Sequence, residues 1–279
     1  MSVSHGEPLA VSAEPLPPPL VDAPPAWRTF PSRLLTLCLV ELRKIRHDRT
    51  ELYTRAIQPL LWLVVFGETM SRLRAIPSDG RPYLDFLAPG IMAQSALFIA
   101  IFFGIQIIWE RDAGILTKLL TTPTSRAALV CGKAFAAGAR ATAQVVIVVA
   151  ASAVLRITLD WNPLHLLGAL MVVVLGAAFF SLLSVSIAGV VLKRDRLMGI
   201  GQAITMPLFF ASNALYPVAL MPGWLRGLSM VNPLSYEVDA LRGMLLGTPS
   251  ELALDVLVLV GATIASVTVA ASLLDRLAR

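Results

Sequence analysis

Charged side chains are scarce in this 279-residue chain. They make up 15% of it, against 56% hydrophobic residues, and the mean hydropathy is +0.74. A soluble domain carries about a quarter charged residues, so the deficit argues against a water-soluble globule. Cysteine is almost missing. Cys38 and Cys131 are the two, and both fall in segments read below as cytoplasmic or interfacial, which points to free thiols without a disulfide. His5, His47 and His165 are scattered. None belongs to a metal-binding spacing such as H-E-x-x-H, so no metal ligands are assigned. A G-x-x-x-x-G-K-[ST] phosphate loop is absent, so the chain is not expected to hydrolyse ATP itself. A G-x-S-x-G nucleophile motif is absent too, and no catalytic residue is assigned. Alternation of apolar and polar residues along the whole chain is lacking, which argues against a membrane β-barrel. The net charge of +5 does not indicate a nucleic-acid partner, because the basic residues flank apolar runs.

What is present is a series of apolar runs long enough to cross a bilayer, which takes about 20 residues per helix. In lipid, helices satisfy every backbone group internally, so the expected class is an all-α membrane protein. Six spans are expected: 56–70, 83–109, 134–155, 163–192, 197–220 and 252–274. The first is short and carries Gln58, Glu68 and the helix-bending Pro59. The fourth is rich in small residues, among them Gly168, Gly176, Ser184 and Gly189, which let helices approach closely in lipid. Residues 1–29 read as a disordered cytoplasmic tail, with seven prolines in the first 27 positions. Residues 30–279 form the membrane unit. It opens with an amphipathic helix from Ser32 to about His47, read as lying along the membrane surface; an ordinary soluble amphipathic helix is the alternative.

Six spans put both termini on one side, and basic residues choose the side. Fourteen lie on the face that holds Arg43, Arg111, Lys133 and Arg276, and six on the opposite face. The termini and the 110–133 segment are therefore expected in the cytoplasm. Residues 221–250 are then external. That segment is broken by Pro222, Gly223, Gly227, Pro233, Gly243, Gly247 and Pro249, and two half-helices that dip into the membrane and return would fit it. A surface loop with two short helices is the other reading.

Ion-driven transport needs an ionisable group near the bilayer midplane. Glu68, Asp85, Arg140 and Asp255 all sit within about two turns of an expected end, where interfacial anchoring accounts for them. Energy must then enter elsewhere. The polar insert 110–126, with Ile115, Leu116, Leu119 and Leu120 along one side of a short helix, is shaped as a docking element for a soluble partner.

Three motifs resemble one family. Glu110-Arg-Asp-x-Gly114-x-Leu116-x-x-Leu119-Leu120-Thr-Thr-Pro123-x-Ser125-Arg126, followed by Gly132-Lys133, looks like the intracellular coupling segment of ABC-2 type permeases. These are the membrane subunits of bacterial ATP-driven exporters. Tyr216-Pro217, Met221-Pro222-x-Trp224 and Asn232-Pro233-Leu234-Ser235-Tyr236, with Arg242 and Gly247, resemble the family's external re-entrant segment. Tyr83-x-x-Phe86-Leu-x-Pro89-Gly90-Ile91 is similar to the start of its second span. The likeness covers about residues 30–275 and is nearest the drug-resistance and nodulation-type lipo-oligosaccharide branch.

The resemblance implies a permease in the bacterial cytoplasmic membrane, paired with an identical or different permease and driven by separate ATPase subunits that carry ATP and magnesium. Glu110, Arg111, Gly114, Leu116, Leu119, Leu120, Pro123, Arg126 and Lys133 would form the coupling surface. The leucines would fill an apolar cleft on the ATPase, with Arg111 and Arg126 at its rim; packing against the chain's own spans is the alternative for them. Pro222, Trp224, Asn232, Pro233, Tyr236 and Arg242 would form an external gate. In it Asn232 and Ser235 are suited to cap the second half-helix, and Arg242 either pairs with Asp239 or Glu237 or reaches the interface. Gln94, Phe98, Gln106, Met206, Asn213 and Tyr216 are candidates for an amphipathic cargo's path through membrane lipid, or for helix–helix contacts. Two further readings stay open. An ion-gradient-driven transporter would need an essential midplane charge. A non-transporting assembly factor would show assembly defects when the external segment is changed.

Overall fold

The computed structural model describes residues 35, 36, 39, 43, 49–73, 81–121 and 125–278. The expected tail and Pro123 lie outside these residues. Of the expected surface helix only 35, 36, 39 and 43 are described, helical and exposed.

The described residues form helices and connecting loops, with no strand among them. From 49 to 73 the chain is helical throughout. α1 (Arg49–Leu61) runs into a π-helical stretch, Trp62–Gly67, and on into α2 (Glu68–Leu73). Pro59 removes one donor from the ladder just before the widened stretch. There follow α3 (Tyr83–Asp112), α4 (Ile115–Thr121), α5 (Arg126–Val154), α6 (Pro163–Val191) and α7 (Arg194–Phe210). A 3₁₀ turn (Val218–Leu220) leads to α8 (Gly223–Val231), α9 (Pro233–Leu246) and α10 (Leu252–Ala278).

Four of these, α3, α5, α6 and α10, are long and apolar enough to cross a membrane. The expected first and fifth spans are not among them. The first is divided by the π-helical stretch. The fifth stops at Phe210 after 17 residues, well short of the expected Leu220. α5 also begins earlier than expected, because Ser125 accepts a hydrogen bond from Ala128 N at 3.2 Å and starts the helix there. Asn162 does the same for α6 through Leu164 N at 3.0 Å, with Pro163 in the first turn. α5 ends in a paired-bond turn: Arg156 N donates to Ala153 O and Ile157 N to Ser152 O. Its left-handed residue is Arg156, at φ 56°.

α3 is the central helix, packed on α5 and α6 and touched by α1, α7 and α9. The α3–α6 contact is close enough that a Cβ at Gly104 would meet Ser184 Oγ at 2.3 Å. Ser184 uses that closeness, donating to Ile101 O and accepting from Gly104 N. Two apolar clusters result. One, around Leu97, Val173, Phe180 and Leu241, fills the half that holds α9. The other, around Ile108, Leu116, Leu129, Leu197 and Leu274, fills the end that holds α4. Apolar side chains such as Val154, Leu164, Met171, Leu257 and Ile264 remain exposed along the outer faces of α5, α6 and α10, as a surface that meets lipid requires.

Candidate functional site

Three places gather the residues singled out by sequence. The first is the turn between α3 and α5. Glu110, Arg111 and Asp112 finish α3, and Gly114 takes φ +70°, a conformation that a side chain disfavours. That turn sets α4 across the end of the bundle. Leu116 is 0% exposed and Leu119 packs beside it, both within the α4-end cluster. Leu116 is therefore an anchor in its own chain and not a filler for a partner's cleft: a seven-residue helix holds its place by burying its apolar side. What faces outward is Ile115, 48% exposed, together with Lys118 and Asp112. The side chain of Leu120 is outside the described residues.

The charges around α4 are also partly internal. Lys133 Nζ donates to Glu110 Oε1, and both side chains are largely buried. Gln106 Nε2 reaches the same oxygen at 3.3 Å. Arg111 Nη1 donates to Leu192 O at 3.0 Å, closing the C-terminus of α6, where Leu192 has φ 57°. Its Nε and Nη2 hold Asp112 Oδ1. Arg111 thus couples the ends of α3 and α6. Arg126, the first residue of α5, is exposed.

The second place is the broken end of α7 with α8 and α9. A helix that stops inside an apolar bundle frees carbonyl oxygens, and each needs a donor. Here side chains supply them. Asn232 Nδ2 donates to Leu208 O at 2.7 Å, and Ser212 Oγ to Phe209 O at 2.7 Å. Tyr216 Oη donates to Phe210 O. Arg242 Nη2 reaches Asn213 O at 2.8 Å and Ala214 O at 3.3 Å, and Tyr83 Oη donates to Leu215 O at 2.8 Å. Gly90 makes room, since a Cβ there would lie 2.4 Å from Ala214 O.

Arg242 is buried, with its guanidinium 3.6 Å from the centre of the Phe86 ring and two longer bonds of 3.4 Å to Phe86 O. It neither reaches an interface nor forms an ion pair with Glu237 or Asp239. The Glu237 carboxylate is fully buried, without a hydrogen-bond partner, against Gly176. Asp239 Oδ1 instead accepts from Asn213 Nδ2 at 2.6 Å. Asn232 caps α9 through Leu234 N at 3.1 Å, with Pro233 next. Ser235 does not cap. Its hydroxyl meets Ser229 Oγ at 2.9 Å, tying α9 to α8. Tyr236 Oη donates to Met230 O at 2.6 Å. Trp224, beside Pro222 at the start of α8, is 70% exposed.

Asp85 is buried as well. It accepts from Thr158 N at 3.2 Å and from Thr158 Oγ1, so it joins α3 to the α5–α6 loop and does not anchor to water. Asp160 N donates to Leu245 O at 2.7 Å, which fixes that loop to α9. In the same loop the Asp160 carboxyl is held below its usual range, first by the Asn162 N–H and then by His165. Asp255 is buried at the start of α10, again unlike an interfacial anchor.

The third place is a groove along α3. A cavity of about 370 Å³ lies between α1, α3 and α5, lined by Gln58, Gln94, Phe98, Phe102 and Gln144 among others. A second, of about 430 Å³, shares Arg55, Ile99 and Phe102 with it and adds Gln106, Trp109 and Arg140. A third, of about 280 Å³, lies on the α7 side, with Phe98, Gln202 and Met206. Four of the six expected pathway residues, Gln94, Phe98, Gln106 and Met206, line this groove. Asn213 and Tyr216 do not; they hold the broken end of α7. Arg140 is not an interfacial anchor. It is buried over the Phe103 ring at 5.1 Å, on the wall of the second cavity. Arg55 stacks over Phe102 at 4.4 Å. The sequence reading missed Arg55 and Gln144 as lining residues. Their signal was polarity inside an apolar helical face, which is the same signal that helix–helix hydrogen bonds produce.

Comparison with known proteins adds an independent line. Residues 32–246 match the family described as ABC-2 type transporter. The putative transport permease ycf38 of Cyanophora paradoxa is 30% identical over 67% of this chain, and the match covers 64% of that protein. The chain thus spans just under two thirds of the length of such a relative. The daunorubicin resistance ABC transporter permease protein DrrB1 of Streptomyces coeruleorubidus is 24% identical over 80% of this chain and 78% of its own length. Nodulation protein J of Rhizobium meliloti (strain 1021) is 26% identical over 68% and 72%.

Proposed function

The chain belongs to the ABC-2 type transporter family, and from that premise we propose that it is the membrane subunit of an ATP-driven exporter in a bacterial cytoplasmic membrane. Two permeases, identical or different, pair there, and two separate ATPase subunits dock below them. ATP and magnesium bind on those subunits. The chain crosses the membrane six times: 49–73 and α7 serve as the first and fifth crossings, with the termini in the cytoplasm. α8 and α9 form an external re-entrant lid, in which Trp224 and Tyr236 sit at headgroup level. The cargo is an amphipathic or lipid-like molecule, in keeping with relatives named for daunorubicin resistance and nodulation. It moves along the α3 groove.

One observation carries this reading. α4 is fastened inward by Leu116 and presents Ile115 and Lys118 outward. A push on its outer face is transmitted to the ends of α3 and α6 through Arg111, and to α5 through Glu110 and Lys133. The rigid packing of the α4-end cluster gives that push a direct path into the bundle. The apolar face of Ile115 with the Lys118 charge beside it suits the core and rim of a partner interface.

Isolation of the chain from native membranes in mild detergent tests the proposal. A P-loop ATPase is expected to accompany the wild type and to be lost from the Ile115→Asp, Lys118→Glu double variant, with the variant's folding unchanged. The chain purified alone is expected to show no ATP hydrolysis. Recovery of no P-loop protein, together with unaltered transport by the double variant, would overturn the assignment.

A further inference from the structure

The cavity between α1, α3 and α5 contains a polar pair that nothing in the fold accounts for. Gln94 on α3 is 2% exposed and Gln144 on α5 is 1% exposed. All four of their side-chain amide atoms lack a hydrogen-bond partner, and both side chains line the same cavity of about 370 Å³. An amide carries two N–H donors and an oxygen with two lone pairs. Leaving these buried and unmet is costly, and buried polar groups in folded proteins are nearly always satisfied. The other polar groups of this wall differ. Ser95, for instance, already donates to Ile91 O at 2.7 Å.

The lining around the pair is mixed: Pro59, Phe98, Ile99 and Phe102 are apolar, and Thr54, Arg55, Gln58 and Ser95 are polar, with the Arg55 guanidinium over the Phe102 ring at 4.4 Å. Placed polar groups beside apolar and aromatic side chains in a cleft are the ordinary form of a small-molecule site. We propose that Gln94 and Gln144 together form the recognition point for the cargo's polar head. That head is an uncharged group able both to donate and to accept, as a hydroxyl does, with the apolar body lying against Phe98, Ile99 and Phe102. The cargo class is thus a hydroxylated amphiphile. A carboxamide head would meet the same four atoms, but a quaternary ammonium offers no donor to either glutamine oxygen. This assignment rests on reading the α3 groove as the cargo path.

Two photoreactive probes test it on the full chain in phosphatidylcholine nanodiscs. One is an alkyl glucoside with a diazirine in its chain. The other is the alkyl phosphocholine of matched chain length. The glucoside is expected to label the 94–102 peptide about tenfold more than the phosphocholine, a ratio of the size that one or two matched hydrogen bonds produce. The Gln94→Leu and Gln144→Leu variants are each expected to lose that preference while their thermal unfolding temperature stays level or rises, since each removes an unmet amide. Equal labelling by the two probes in the wild type would overturn the proposal even if the variants failed to fold. So would well-folded variants that keep the preference. A fall in unfolding temperature with the preference intact would also sink it, because the amides would then be structural. The labelling needs no ATPase. Failure of ATPase docking, with selective labelling intact, would instead count against the exporter reading alone.

Discussion

Arg242 shows what a single side chain does in this fold. Its guanidinium reaches the carbonyls of Asn213, Ala214 and Phe86 and lies on an aromatic ring. Lysine keeps the charge but not the planar fork. Arg242→Lys should cost about 2 kcal/mol, the scale of a lost charge-assisted hydrogen bond, and Arg242→Met on the order of 3 kcal/mol, since the buried carbonyls of Asn213 and Ala214 lose the guanidinium that donates to them. Thermal unfolding in detergent measures both, and unchanged transitions would remove Arg242 from its place at the broken helix end. Arg156 is the opposite case. It holds a left-handed conformation at the end of α5, where a Cβ is a liability. Arg156→Gly should raise stability by about 0.5–1 kcal/mol, read as a higher unfolding temperature with unaltered partner binding.

At the scale of elements, α4 works because its two faces differ. Leu116 and Ile115 are neighbours in sequence, yet one is fully buried and the other half exposed. Leu116→Ala should destabilise the fold by about 2–4 kcal/mol. Ile115→Ala should leave the unfolding temperature within about a degree, because exposed sites contribute little, while weakening ATPase association. Equal thermal effects of the two changes would mean that α4 does not sit on the bundle as described. The end of α7 follows a different logic. Pro207 lies inside the helix, and the chain leaves the helical path at Phe210. Side chains from α3, α9 and the 211–217 turn then take up the exposed carbonyls. The break is tolerated because its donors come from elsewhere in the bundle, as irregular backbone within an apolar interior demands.

For the whole molecule, the expected topology places Lys118 inside and Trp224 outside. A single cysteine at 118 should react with a membrane-impermeant maleimide only in inverted vesicles, and one at 224 in intact cells. Reaction at 118 from outside would reverse the arrangement and detach α4 from any cytoplasmic ATPase. Helical class and four of the six expected apolar spans were legible in the chain itself. Hydropathy, breakers and motif order depend on neighbours close in sequence, and those determined where α3, α5, α6 and α10 run. The Asn232-Pro233 pair also declared its local role, because a helix cap is a local matter.

The fate of each polar atom was settled only in three dimensions. Leu116 and Ile115 carry the same apolar signal, and packing alone made one an anchor and the other a surface. Arg242 read as a partner for Asp239 or Glu237, or as an interfacial charge, until the carbonyls of residues 213 and 214 came within its reach. Gln94 and Gln106 were indistinguishable along α3, yet Gln106 found Glu110 and Gln94 found nothing. Sequence periodicity records which face a side chain occupies. Which partner waits on that face depends on residues dozens of positions away, and only the folded bundle brings them within hydrogen-bond distance.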